Sequence, residues 1–451
     1  MRSKLWFIFV VLAVLLIFSE ADLQAFVTHQ DVTVASSPNP VGSGARAVGM
    51  GGAFIAVADD ATTVSWNPAG LVQLERPELS IVGAYVSRSA DYSSSSDPVV
   101  NNSTETDQSD LNYFSATYPF SFLNRNMVVS INYQRLYDFK FNVHYRFERI
   151  EQLSFPFESL TRSQDIDYSQ DGNLGPLGLA YAVEITPRLS FGLTLNIWRD
   201  DLLGRQNGWE ETYRAHIEDV LRDVFGGITI NTMDVHLVDE YYDFSGENAN
   251  FGVLWDMNKY LTIGAVVKTP FTATIRHRHT RADLPSENYE EEVKLRMPTS
   301  YGIGIACRFS DEFTVDLDVY RTDWSDYTLT DGQGNEFSPI NGRPKSESNI
   351  KDTTQVRIGG EYLFIQEKRN LVVPLRAGFF YDPEPGDGKV EDFYGFTIGS
   401  GIGYKRFIFD MAYQLRWGHN VDASNVVNTT SADAKADVTQ HLILASVIYH
   451  F

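Results

Sequence analysis

The chain has 451 residues and a mass of 50.9 kDa, with 59 acidic against 37 basic side chains and a formal charge of -22. That balance argues against nucleic acid as a partner, because binding a polyanion draws on clustered Lys and Arg. A mean hydropathy of -0.22 excludes a bundle of many transmembrane helices, each of which needs roughly 20 apolar residues. A single cysteine, Cys307, excludes an intrachain disulfide framework and a cysteine-rich metal site, and 29 Phe, 23 Tyr and 33 Gly lean towards β structure.

Residues 1–25 read as a secretory signal. Arg2 and Lys4 precede an unbroken apolar run from Leu5 to Phe18, about four residues short of a comfortable membrane span but suited to a signal peptide. Cleavage is expected after Ala21, at Ser19-Glu20-Ala21, or after Ala25. The product is exported, which in a bacterium leaves periplasm, outer membrane or medium.

Residues 26–77 do not alternate. They hold Gly42-Ser43-Gly44-Ala45-Arg46-Ala47-Val48-Gly49-Met50-Gly51-Gly52-Ala53-Phe54, then Asp59-Asp60, then Trp66-Asn67-Pro68-Ala69-Gly70. Small residues at this density let backbone approach backbone, and Asp59 or Asp60 is placed to cap a short helix that Asn67-Pro68 must end.

From residue 78 the dominant period is two. Phe407, Phe409, Met411, Tyr413, Leu415 and Trp417 alternate with polar or smaller neighbours, and Phe313, Val315, Leu317 and Val319 alternate with Thr314, Asp316, Asp318 and Tyr320. Such strands present one greasy and one polar face, which suits either a sandwich with its greasy face inward or an outer-membrane barrel with that face towards lipid. Candidate strands fall at 78–87, 111–120, 126–140, 174–185, 188–199, 239–256, 260–270, 289–309, 312–322, 353–365, 371–381, 393–404, 406–417 and 438–451. Short turns (Leu123-Asn124-Arg125, Thr186-Pro187, Ser310-Asp311, Lys405) alternate with longer polar loops such as Arg88 to Asp110 and Gly418 to Asp437. That two-beat rhythm is the connectivity of an up-and-down transmembrane barrel of about fourteen strands, and a Greek-key sandwich does not keep it. Tyr394 and Tyr404 bracket a lipid-facing row at girdle positions, opposite Gly395, Gly399, Gly401 and Gly403, a nearly side-chain-free wall on which something lumenal can pack. The closing strand ends on Phe451, in the manner of the C-terminal signal read by the outer-membrane assembly machinery.

Between the strands, Trp209, Tyr213, Ile217, Val220, Leu221, Val224 and Phe225 recur every three or four residues, which predicts an amphipathic helix in an external loop. Its stripe either packs on the barrel rim or forms an external apolar groove for first contact with a ligand. Arg276-His277-Arg278-His279 puts two histidines on one strand face; a metal needs more ligands than this, so the cluster is expected to meet lipopolysaccharide phosphates or a substrate carboxylate. Asp165, Asp167 and Asp171-Gly172 suggest a calcium loop that fails at Gln170, where the EF-hand pattern wants glycine. The acidic loop Asp382, Glu384, Asp387, Glu391 and Asp392 is expected to be a solvated surface. Asp316, Asp318, Arg357, Arg376, Asp410 and Arg416 are expected to form a lumenal charge ladder that holds the N-terminal segment. No nucleophile motif, zinc motif or phosphate loop accompanies these carboxylates, so neither catalysis nor a cofactor is expected.

Gly49-Met50-Gly51-Gly52-Ala53-Phe54 followed by Asn67-Pro68-Ala69 resembles the N-terminal hatch of the FadL/TodX family of outer-membrane transporters of long-chain fatty acids and aromatic hydrocarbons. Gly252-Val253-Leu254-Trp255, Lys268-Thr269-Pro270-Phe271, Met297-Pro298 and Arg376-Ala377-Gly378-Phe379 follow in collinear order across the mature chain. The resemblance implies residues 26–77 as a hatch inside a barrel of residues 78–451. It also implies gating through Gly49, Gly51, Gly52, Phe54, Asn67, Pro68 and Ala69, a hydrophobic small molecule as cargo, and sideways release into the membrane. Integral insertion among outer-membrane lipid and lipopolysaccharide, as a monomer, is the corresponding expectation. Two other readings stay open: a barrel of this family that serves as an assembly or secretion platform, and a diffusion porin.

Overall fold

The structure, a computed structural model, describes residues 42–95, 101–200, 207–423 and 433–451. The expected signal segment and residues 26–41 of the expected hatch lie outside the described residues. No helix among those described is long and apolar enough to cross a membrane.

Fourteen antiparallel strands close into a ring. In chain order they are Glu78–Ser93, Asn102–Phe122, Arg125–Gln134, Leu177–Thr186, Leu189–Arg199, the second half of Ile228–Asn258, Leu261–Lys268, Ser300–Arg308, Phe313–Thr322, Thr353–Gln366, Leu371–Tyr381, Phe393–Tyr404, Phe407–Asp422 and Lys435–His450. Each pairs with its sequence neighbour in the ring, and the last closes on the first from Glu78 opposite His450 to Ser93 opposite Lys435. Closure leaves no ring edge with unpaired backbone, which a lipid environment requires. The predicted strand 289–309 is two strands, Tyr289–Met297 and Ser300–Arg308, because Pro298 breaks the ladder and only the second joins the ring.

The direction of the side chains settles barrel against sandwich. On Phe313–Thr322, Leu317 is 43% exposed and points away from the ring while Asp318, next to it, is 1% exposed and points inward. Apolar-out, charged-in alternation is the inverse of a water-soluble sheet. Tyr394 and Tyr404 lie on the outer face at the two ends of their strand. At one end of the ring the turns are tight: Leu123-Asn124 and Lys405 take left-handed backbone, which suits the twist of a two-residue hairpin, and left-handed Asn370 closes a four-residue turn.

At the other end the expected polar loops are themselves sheet. The first two ring strands stay paired out to Tyr92 opposite Asn102, so Arg88 to Asp110 is largely strand. Phe141–Gln152, Phe157–Leu174, Gly208–Asp223, the first half of Ile228–Asn258, Phe271–Arg281 and Tyr289–Met297 pair in that order into a second antiparallel sheet beyond the ring. Asp243, in left-handed backbone, and a register shift between Tyr242 and Ser245 mark where the long strand passes from one sheet to the other. The expected helix through Trp209 to Phe225 is therefore the strand Gly208–Asp223. A spacing of four satisfies a strand as well as a helix: Trp209, Tyr213, Ile217 and Leu221 share one strand face with Ala215, while Val220 is on the other and Val224 and Phe225 lie in the following turn.

Candidate functional site

Residues 42–74 lie inside the ring. The short helix Ala45–Gly49 packs against Leu371–Tyr381, Phe393–Tyr404 and Phe407–Asp422, and the 3-10 turn Pro68–Gln73 packs against the opposite wall. The plug thus reaches across the lumen. Its core joins Met50, Phe54, Ile55 and Trp66, with Phe54 and Trp66 edge to face at 5.9 Å.

The predicted gating residues are seam residues. Gly51 and Gly52 turn the chain after the helix with φ of +71° and +70°, a conformation that disfavours other residues. Thr397 Oγ1 donates to Gly49 O at 2.9 Å and accepts from Gly51 N at 2.8 Å, and Arg357 Nη1 donates to Gly51 O at 3.1 Å. Asn67 Nδ2 donates to Ile55 O within the plug and to Val253 O on the wall, at 2.9 and 3.0 Å, while Asn67 Oδ1 accepts from Ala69 N. Pro68 and Ala69 lie against Gly192, where a Cβ would meet the Pro68 carbonyl carbon at 2.2 Å. Of the four-glycine wall, Gly399 faces Gly49; Gly395 makes room for Phe380 and Gly401 for Asp410.

The charge ladder is present and only partly holds the plug. Asp318 Oδ2 accepts from the N–H groups of Phe54 and Ile55 at 2.7 and 2.9 Å. Arg376 pairs with Glu361 at 2.6 Å and with Asp410 at 2.5 Å, and Glu361 pairs in turn with Arg46 of the plug at 2.8 Å. Arg46 also pairs with Asp59. Asp316 is fully buried, and its Oδ1 accepts from Leu317 N. The ion pairs of Arg416 lie within the wall and its loop. Arg416 binds Asp382 at 3.1 Å and Glu384 at 2.8 Å and lies over the Phe393 ring at 3.8 Å, so the first two acids of the loop expected to be solvated are structural ion-pair partners. Arg46, Glu361 and Thr397 were not singled out from sequence. Glu361 has the strand parity of Arg357 and so was legible, whereas Arg46 and Thr397 carry no pattern of their own.

Two chambers lie beyond the plug. One has Val64 and Ser65 of the plug as its floor. Amides line it near the plug, with Asn196 Nδ2 donating to Asn250 Oδ1 at 3.1 Å. Further out the wall turns aromatic: Trp198 stacks on Phe271 at 5.2 Å, Trp324 and Met297 extend the apolar surface, and Lys268 lies over the Tyr320 ring at 5.6 Å. The second chamber is charged, with Arg135 bridging Asp110 and Asp138 at 2.9 and 2.8 Å. Gln134, Leu136 and Tyr137 border both. Val64 and Ser65, which floor the first chamber, were not among the predicted residues. The basic cluster expected to meet anions is engaged within the chain: on the exposed face, Arg276 pairs with Asp243 and Glu290, and Arg278 with Glu240 and Glu290.

The chain is similar in fold to a Pseudomonas aeruginosa FadL homologue, at 11% identity over 94% of this chain and 100% of that one, with a TM-score of 0.58. The Pseudomonas putida toluene transporter TodX matches at 14% identity over 91% and 98% of the two chains, TM-score 0.53. The CymD monoaromatic hydrocarbon channel matches at 15% identity over 92% and 98%, TM-score 0.51. No curated protein matches the sequence. The profile of the outer membrane protein transport protein family (OMPP1/FadL/TodX) matches residues 30–451, and the chain belongs to that family.

Proposed function

We propose that this protein moves hydrophobic compounds, long-chain fatty acids or aromatic hydrocarbons, through the outer membrane by diffusion, with capture in the aromatic chamber, a shift of the plug, and release sideways into the bilayer. The observation that carries the reading is that the aromatic chamber ends on plug residues Val64 and Ser65 while the plug is seated on both walls. A straight aqueous path is therefore not the natural route for a solute that enters there. The aromatic upper wall suits an apolar body, and the amide floor can take the polar end of a fatty acid where there is one. The toluene and monoaromatic channels that share the fold support an apolar cargo.

Magnitudes explain why a movable floor is useful. Burying about fifteen methylenes at ~0.8 kcal/mol each gives an upper bound near ~12 kcal/mol. After association costs, capture is easy and release is the harder step. A plug state with a disrupted floor lowers affinity, and the cargo then partitions into lipid without an external energy source. The wall offers a soft place beside the chamber. Pairing of Arg125–Gln134 with Leu177–Thr186 ends at Tyr133 opposite Leu177, and the next bond, Gln134 N to Pro176 O, is stretched to 3.4 Å beside a proline that has no N–H to return.

The test is uptake of a labelled long-chain fatty acid and of labelled toluene by cells whose own transporters of this kind are deleted, with and without this protein. Val64→Trp fills the chamber floor. Uptake of either compound by the native chain, reduced several-fold in the variant, is the expected result. A folded, surface-exposed barrel that takes up neither overturns the reading in favour of a platform, and single-channel conductance of nanosiemens order overturns it in favour of a porin.

A further inference from the structure

The sheet beyond the ring assembles a metal-ligand set that the sequence scatters over about fifty residues. Alternation along Phe271–Arg281 sends Arg276 and Arg278 outward and His277 and His279 inward, where they are 2% and 8% exposed. The neighbouring strands bring their own residues to that face: Asp239 lies opposite His279 and Tyr241 opposite His277 on one side, and Glu291 opposite His277 and Tyr289 opposite His279 on the other. Asp239 Oδ1 stands 2.7 Å from His277 Nε2 and 2.8 Å from His279 Nδ1, and one ligand atom from each of the three residues lies within 4.8 Å of the others.

We propose that Asp239, His277 and His279 bind a divalent transition-metal cation of the Zn²⁺ type. Imidazole nitrogens and a carboxylate oxygen are the donor set such ions take, at about 2.0–2.2 Å, and three protein ligands leave a fourth position for water. The surroundings are those of a site rather than of a chance contact. Tyr241 stacks on His277 with centroids 4.4 Å apart and planes 2° from parallel, and Tyr289 stacks on His279 at 4.9 Å and 14°. Both rings are therefore held in orientation.

The far nitrogen of His277 faces a carboxylate. Nδ1 stands 3.6 Å from Glu291 Oε1, and Glu291 Oε2 is anchored by the N–H of Gly332 at 2.9 Å. At that distance Glu291 is placed to close on the imidazole once a metal is bound, the usual outer contact of a metal-bound histidine. Placed there, the ion ties Ile228–Asn258 to Phe271–Arg281, within a sheet that stands clear of the membrane.

The experiment uses the full chain in detergent, stripped with a chelator and titrated with ZnCl₂ by calorimetry, with metal content checked by mass spectrometry and Co²⁺ substitution followed by visible absorption. One equivalent of Zn²⁺ per chain is expected, together with the intense Co²⁺ bands of a low-coordinate site. His277→Ala and His279→Ala should abolish both, and Asp239→Asn, nearly the same shape but without the anionic donor, should abolish both as well, which a change of packing alone would not do. Glu291→Gln should keep the stoichiometry and weaken affinity roughly 10- to 100-fold. His144→Ala and His216→Ala remove exposed histidines that also sit beside aspartates and should change nothing. Absence of Zn²⁺ binding by the native chain, or binding that survives His277→Ala with His279→Ala, overturns the proposal and leaves a His–Asp–His hydrogen-bonded network.

Discussion

The carboxylate of Asp318, on the barrel wall, accepts the backbone N–H of Phe54, in the plug, at 2.7 Å, and the same oxygen accepts Ile55 N–H at 2.9 Å. Two buried donors of the plug thus depend on one wall oxygen. Removing it in Asp318→Ala leaves both without that acceptor, at a cost of about 1–3 kcal/mol for each buried donor left unmade. Asp318→Asn retains a carbonyl acceptor and should cost less. The ring itself is held by its ladders, so the expected phenotype is a loosened plug in a folded barrel. Intermittent conductance in planar bilayers, frequent for the alanine variant and rare for the asparagine one, checks it. A barrel as silent as the native one would show that this oxygen does not secure the plug.

Gly359 and Gly378 face each other across two ring strands, and the plug turn lies directly on them. A Cβ on Gly359 would stand 1.9 Å from Met50 O, whereas one on the next residue, Gly360, would find its first neighbour at 3.5 Å, an ordinary contact. Gly359→Ala should therefore displace the plug and make cells permeable to large polar antibiotics, with an overpacking cost of roughly 1–3 kcal/mol or more. Gly360→Ala, one position along the same strand, should leave permeability unchanged. Equal behaviour of the two variants would mean that the plug does not seat on this wall.

These two positions also show what could be read in advance and what could not. Strand parity puts Arg357, Gly359 and Glu361 on one lumenal face, so a bare, charged inner wall is legible from spacing alone. Which plug atom meets which glycine is not, because the pairing joins residues some three hundred positions apart and follows from closure of the ring. Asp239 fails for the same reason: nothing near it in sequence points to His277 and His279, which only the pairing of Ile228–Asn258 with Phe271–Arg281 brings alongside. The strand Gly208–Asp223 fails differently. Its apolar residues every four positions fit both periods, and Glu211 and Asp219 on the same inward parity disguise the alternation that would have marked a strand.

Outside the membrane, His216 Nδ1 and Asp234 Oδ1 are 2.6 Å apart on facing strands. That hydrogen bond, helped by the charge of Asp234, raises the imidazole pKa above its ordinary value. A histidine raised on folding adds stability that is fully present below its unfolded pKa and is lost as pH rises through its higher folded pKa. Both side chains are more than half exposed, so solvent screening keeps the contribution small. Histidine-selective NMR on the native chain and on Asp234→Asn is the check. The His216 resonance should titrate at lower pH in the variant, and an unchanged midpoint would remove the hydrogen bond as the cause.

The stretched bond between Gln134 N and Pro176 O makes sideways release testable by closing the wall there. The two residues follow the last regular pair, Tyr133 opposite Leu177, in antiparallel register. Directly opposed Cα atoms in such a ladder are about 4.5–5.5 Å apart, inside the roughly 4.4–6.8 Å that a disulfide spans. Gln134→Cys with Pro176→Cys, in a chain whose lone Cys307 is replaced by Ser, should oxidise to a cross-link across the seam. If cargo leaves through this wall, oxidised cells should still bind labelled compound, fail to pass it to the inner membrane, and recover uptake when a reductant is added. The reduced form of the same variant is the control for changes to the chamber lining, since Gln134 borders it. Uptake that is the same before and after reduction would place the exit elsewhere, while binding lost only on oxidation would show that the cross-link distorts the chamber instead of shutting its side.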